Sequence, residues 1–136
     1  MADAPSVEYL NPATLIRNPA FTQAIAVTGA VKTIYIGTQN GVDRSGAVVG
    51  KGDIAAQTEQ TLMNIEACLA EAGASVEHLV AWSIYIKHGE PIEPAFEVFQ
   101  RWWGRRPYPP VNTVLLVPDW IIPDLLIGID AIAVVP

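Results

Sequence analysis

The period of hydrophobic and polar positions changes several times along the chain, and each change marks an element. Residues 22 to 28 (TQAIAVT) and 31 to 38 (VKTIYIGT) are short runs rich in β-branched residues, separated by Gly29 and Ala30. That spacing predicts a hairpin. Residues 39 to 47 (QNGVDRSGA) form a turn region, after which Val48 and Val49 are expected to add a brief edge strand. From Gly52 and Asp53 the pattern becomes helical. Thr58, Leu62, Ile65, Leu69 and Ala72 share one face, while Glu59, Gln60 and Glu71 take the wet side. Asp53 is placed to cap the first turn and Gly73 to end the last. Cys68, the only cysteine, falls inside this helix and reads as a small core hydrophobe.

Residues 79 to 87 (LVAWSIYIK) predict a strand with Val80, Trp82, Ile84 and Ile86 on one face. Pro91 and Pro94 bound the start of a second helix that takes in Ala95, Phe96, Phe99, Trp102 and Trp103, and the turn RRPYPP follows. Residues 111 to 117 (VNTVLLV) and 125 to 135 (LLIGIDAIAVV) predict two last strands, split by PDWIIPD. The order β-β-(β)-α-β-α-β-β does not alternate throughout, so it excludes a doubly wound sheet. It implies an α+β fold with two helices packed on one face of a mixed sheet. The other sheet face is also apolar, and with no spare helix to cover it, the expected cover is another subunit.

Composition sharpens this picture. At 136 residues the chain is expected to form one domain, residues 1–136. Only 16% of it is charged against 51% hydrophobic, which again points to symmetric self-association. The net charge of −6 argues against a nucleic-acid partner. Arg101, Arg105 and Arg106 make one basic spot beside two tryptophans, not a groove able to track a backbone. The opening MADAPSVEYLNP has acidic residues and prolines where a signal would need a basic and then an apolar stretch. No apolar run reaches membrane-spanning length, so the expected address is cytoplasmic, without a membrane partner.

Candidate chemistry is sparse. No G-x-G-x-x-G or Walker pattern is present, so no nucleotide cofactor is expected; G-K-G-D at 50 to 53 reads as a turn and cap. His78 and His88 lack a metal-binding context, and no metal is expected. Ser83 sits in mid-strand with no base nearby in sequence. The outstanding residue is Asp130, a lone carboxylate in LLIGIDAIAVV. Period 2 places it on the face of Leu126, Gly128, Ile132 and Val134. There it needs hydrogen bonds, a cation or a wet cleft. Desolvation would raise its pKa and a neighbouring cation would lower it, so it serves either as a proton donor and water-orienting group or as an anchor. A purely structural Asp bonded to backbone fits the same pattern.

Four segments in order resemble the Rid family of reactive-intermediate and imine deaminases. They are NPAFTQAI (18–25), IGTQ (36–39), GDIAAQTEQTLMNIEACLAEAG (52–73, with Gln57, Gln60, Asn64 and Gly73 in place) and GIDAIAV (128–134). The resemblance implies a chorismate-mutase-like fold and a homotrimer, with sheets forming a central barrel, helices outside and ligand clefts between subunits. It also implies that Asp130 stands where the family's water-positioning glutamate is found, one methylene shorter. Phe21 takes the place of a tyrosine, Gly37 that of a serine and Thr38 that of a glycine whose N–H helps to bind a carboxylate. The family asparagine of the second helix falls at Glu93 or Phe96.

The sharpest departure is at Val111. Family members that hydrolyse imines carry Pro-Ala-Arg there, the arginine gripping the substrate carboxylate; here the stretch is Pro109, Pro110, Val111. An isopropyl group cannot replace two parallel charge-assisted bonds. Removing such a contact from a desolvated site typically costs about 2–5 kcal/mol. Arg17, Arg105 and Arg106 are candidates for a relocated cation, and Asn112 and Thr113 for neutral contacts. The expected ligand is a small molecule: an enamine, imine or related neutral compound bound or hydrolysed between subunits, rather than a 2-imino acid. A non-catalytic trimeric binding protein and a deaminase with a relocated arginine remain open, and RNA cleavage is the least favoured reading.

Overall fold

A computed structural model describes residues 4–136. Met1, Ala2 and Asp3, which begin the segment considered for a targeting signal, lie outside the described residues. The elements run β1 (Ser6–Leu10), β2 (Ala24–Thr28), β3 (Lys32–Asn40), α1 (Ile54–Glu71), β4 (Leu79–Lys87), α2 (Ile92–Trp103), β5 (Val111–Val117) and β6 (Ile127–Val135). A short 3-10 turn at Val76–His78 leads into β4. The main sheet has the order β3-β6-β4-β5, with β4 and β5 parallel and β6 antiparallel to both β3 and β4. The parallel pair is joined through α2, the crossover that such a pair requires. Both helices cover one face, so the fold is the expected mixed sheet under two helices.

Helix α1 begins and ends as its sequence dictates. Asp53 Oδ1 accepts the Ala56 N–H at 3.1 Å, and the chain leaves the helix through Gly73 at φ +74°. Leu62, Ile65 and Leu69 are fully buried, each removing roughly 1.5–3 kcal/mol of apolar exposure from water. They meet Ile84 and Ile86 of β4, Ile127 and Ile129 of β6, and Ala95, Val98 and Phe99 of α2 in one core. Cys68 packs half-buried at its margin.

The strand pairing departs from the sequence expectation. The expected hairpin between residues 22–28 and 31–38 does not form. Instead β2 pairs with β1 in register Ser6↔Thr28 to Leu10↔Ala24, and β3 pairs with β6 from Lys32↔Val135 onward. Local alternation favours a neighbour in sequence, but β6 offers β3 an inward Ile129, Ala131 and Ala133 that join the core, and β1 offers β2 a full antiparallel partner. The expected edge strand at Val48 and Val49 reduces to a single bridge, Val42↔Val48. The last strand starts at Ile127 rather than residue 125.

Side-chain amides lock the loops beside the last strand. Gln57, fully buried on α1, donates to the carbonyls of Gly50 (3.2 Å) and Asp124 (2.8 Å) and accepts the Leu126 N–H (2.8 Å). Asn64 donates to the carbonyls of Asn40 and Val42, each at 3.0 Å, and accepts from Gln60 at 2.9 Å. Asn40 in turn donates to Ile127 O at 2.9 Å. These side chains satisfy carbonyls that the turns leave without ladder partners, and they place the ends of β3 and β6 side by side.

Candidate functional site

The sheet has two unlike faces. On β4, Trp82, Ile84 and Ile86 join the core under the helices, so Ala81, Ser83, Tyr85 and Lys87 point away. A register shift at the start of the strand puts Leu79, rather than the expected Val80, into that core. Register then assigns the neighbours. Ser83 pairs with Asp130 of β6 on one side and with Thr113 of β5 on the other. Across β6, the β3 register jumps from Ile36↔Ala131 to Gln39↔Ile129. This bulge leaves Gly37 and Thr38 without partners at the level of Asp130. The result is one row across the open face: Gly37 and Thr38, Asp130, Ser83, Thr113.

The carboxylate is half-buried, and Tyr85 donates its hydroxyl to Asp130 Oδ2 at 3.0 Å. Among the described residues Asp130 makes no ion pair. Trp120, from the loop before β6, stands edge-to-face to Tyr85 with ring centroids 6.2 Å apart, and its indole lies on the bare Cα of Gly128. The lining beside the acid is therefore a hydroxyl row, two aromatic rings and a backbone bulge.

The other sequence candidates are distributed unevenly. Val111 shares the open face one pleat along, in the row Ile132, Ala81, Val111. Asn112 pairs with Trp82 and so belongs to the helix side, away from Asp130. Phe21 and Arg17 lie off the main sheet. They line a small cavity of about 80 Å³ with Tyr9, Asn11, Tyr108 and Pro109. Tyr9 and Tyr108 stack there at 4.8 Å, and burial followed by the Tyr108 hydroxyl raises the Tyr9 pKa. This cavity is tied to Val111 through Thr22, whose N–H donates to Pro110 O at 3.3 Å and whose hydroxyl donates to Pro109 O. Arg106 is held elsewhere: it donates to Glu77 at 3.1 Å and to the carbonyls of Trp102 (2.7 Å) and Trp103 (3.0 Å), closing the end of α2. Arg105 is exposed in the turn that follows.

Sequence reasoning did not find Tyr85 or Trp120. Alternation within LVAWSIYIK did contain the signal that Ser83 and Tyr85 oppose Trp82, but the register that sets Tyr85 beside Asp130 is a tertiary fact.

The sequence profile of the family described as Endoribonuclease L-PSP matches residues 15–135, almost all of the chain. The chain belongs to this family. Within it, a RutC family protein of Pyrococcus abyssi is 32% identical over 114 residues, covering 83% of this chain and 84% of that protein. A crystal structure of a Rid-family protein from Yersinia pestis superposes with a TM-score of 0.81 at 28% identity, covering 93% of this chain and 97% of that one. A member of the YjgF/YER057c/UK114 family from Mycobacterium tuberculosis gives 0.64 at 28% identity, with 85% and 86% covered. These likenesses establish the Rid-type assignment and the fold. Among the described residues no helix is long and apolar enough to cross a membrane.

Proposed function

We propose that this chain binds and hydrolyses a small imine or enamine lacking a carboxylate, in a cleft completed by a second subunit of a homotrimer. The observation that carries the reading is the row of Gly37, Thr38, Asp130, Ser83 and Thr113, with Tyr85 on the acid and Val111 nearby in place of a cation. Asp130 orients a water and takes one of its protons as the oxygen attacks the C=N carbon. That proton passes to nitrogen to give a carbinolamine. The carbinolamine hydroxyl then yields its proton to the nitrogen through Asp130 as the C–N bond breaks, and a carbonyl compound and ammonia leave; an enamine first tautomerises to the imine. The Tyr85 hydroxyl fixes the carboxylate, and the bulge at Gly37 and Thr38 offers backbone N–H groups to the ligand. A negatively charged substrate would meet Asp130 with no arginine to offset it, which is why a carboxylate-free substrate fits. Homotrimer formation is supported by the open face itself: Tyr35, beside Ile132, is 79% exposed, and Leu115, beside Tyr85, is 49% exposed.

Ammonia release tests this directly. A ketimine without a carboxylate should be hydrolysed faster with the protein than without it, and Asp130→Asn should remove the acceleration. The imine of an amino acid should gain acceleration only in Val111→Arg. Equal handling of both imines by the unaltered protein would sink the reading, and no acceleration of either would leave a binding protein.

One observation favours a second reading, a deaminase with a relocated arginine: Arg17 and Phe21 share a cavity beside Pro109. Under it, Arg17→Ala abolishes turnover of an imino acid while Val111→Arg restores it. The family description names RNA cleavage, but the charge distribution does not support it here. Four of the eight Lys and Arg residues, Lys51, Lys87, Arg101 and Arg106, are engaged with carboxylates, and the net charge is −6.

A further inference from the structure

A cavity of about 240 Å³ on the helix side of the sheet takes no part in either reading. Trp82, Phe99, Trp103, Pro109 and Pro110 wall it, and the exposed Gln100 reaches it from α2. None of its lining residues is charged. Trp82 and Ser83 are adjacent on β4 and point to opposite faces, so the sheet separates this cavity from Asp130.

The walls are held in place before any ligand arrives. Phe99 meets Trp82 edge-on at 5.4 Å and 71°, and Trp102 stacks on Trp82 at 5.8 Å and 27°. The Trp103 indole N–H donates to Arg106 O at 2.8 Å, and the carbonyls of Pro109 and Pro110 both accept from Thr22. The Trp82 N–H is itself sealed from solvent, without a partner among the described residues. The cavity therefore offers π-faces and proline rings, with one amide, Gln100, for a polar atom.

We propose that this cavity binds a neutral, flat aromatic molecule of one or two rings, its polar atom turned to the Gln100 amide. Size supports the class: a dry cavity of about 150 Å³ holds benzene, so this one has room for a fused second ring. Charge supports it too, because an ion here would lose hydration and find no counter-charge. Aromatic rings meeting the ligand edge-on or offset favour a π-system over an aliphatic chain of equal volume.

Indole is the probe, and titration calorimetry on the unaltered protein is the measurement. One saturable site per chain is expected, with indole-3-carboxylate weaker by about tenfold or more. Amide resonances of Gln100 and Gly104, both at the cavity, should shift along the same saturation curve. Ala20→Trp, a change at an exposed residue of the rim, should weaken indole binding by about tenfold or more, whereas Asp130→Asn should leave it within about twofold. Absence of a saturable site, equal affinity for the carboxylate, or shifts that bypass Gln100 and Gly104 would each overturn the proposal. The resonance shifts need no variant, so they decide the matter even where Ala20→Trp misfolds. Loss of imine hydrolysis would not affect it either.

Discussion

Trp120 lies on Gly128, and no other residue type would let it. A methyl group at position 128 would collide with Cη2 of the indole and stand 2.6 Å from Cζ2 and 2.8 Å from the Asn40 amide nitrogen. The glycine is thus what lets a loop residue close over the open sheet face, against Tyr85 and two positions from Asp130. Gly128→Ala should destabilise the fold by about 1–3 kcal/mol through overpacking. In a Trp120→Ala background the same change should cost much less. Urea unfolding of the two single variants and the double variant measures that coupling; additive costs would show that the ring does not rest there.

Gln57→Ala should be among the costliest single truncations in α1. It strips donors from the carbonyls of Gly50 and Asp124 and leaves the buried Leu126 N–H with no acceptor. An unsatisfied buried group costs about 1–3 kcal/mol, and a cavity adds to it, so a loss of about 3 kcal/mol is expected. Thr58→Ala, one residue along, breaks only a bond to the helix's own Ile54 carbonyl and should cost less. Equal losses for the two would remove the pinning role from Gln57.

Tyr85→Phe isolates the bond to Asp130. The ring stays in place against Trp120 while the hydroxyl donor is lost. Under the proposed mechanism kcat for imine hydrolysis should fall about tenfold, with KM little changed, because the hydroxyl positions the carboxylate and does not hold the substrate. A change confined to KM would move Tyr85 into ligand binding.

Acid pH should find one specific weak point. Glu77 accepts from the Ser75 hydroxyl at 2.6 Å, from its own backbone N–H and from Arg106, and these hold its pKa down at about 2 against an ordinary 4.5. A depressed folded pKa means that the stabilisation is fully present above pH 4.5 and is lost as pH falls through about 2. Glu77→Gln should therefore lower stability at neutral pH and flatten the curve across that window, with the two proteins converging below it. Both partners are well exposed, so screening keeps the effect under about 1 kcal/mol, smaller still in high salt. Thermal unfolding between pH 2 and 6 measures it.

The open face makes a prediction about assembly. Leu115→Lys puts a charge where Leu115 stands beside Tyr85 on an exposed apolar surface. If that face is buried between subunits, the unaltered protein sediments as a trimer and the variant as a monomer. A monomeric unaltered protein would remove the cleft from the proposed mechanism.

Residues with a strong local signature were legible in the sequence. Helix α1 and its cap at Asp53, the stop at Gly73, the buried face of β4 and the facing of Asp130 all follow from periodicity and from backbone preferences within a few residues. So does the α+β class with helices on one face, and four short segments carried the Rid resemblance. That Val111 stands where the resemblance puts an arginine was readable the same way, because it is a statement about one side chain.

What only the tertiary structure decided is partnership between distant strands. Pairing β3 with β6 rather than β2, opening a bulge at Gly37 and Thr38 opposite Asp130, setting Tyr85 beside that acid and laying Trp120 on Gly128 all join residues far apart in the chain. Alternation fixes which face a residue takes, but it is indifferent to which strand lies alongside. That choice is made by how much apolar surface each pairing buries in the shared core, a sum over the whole molecule that no local stretch contains.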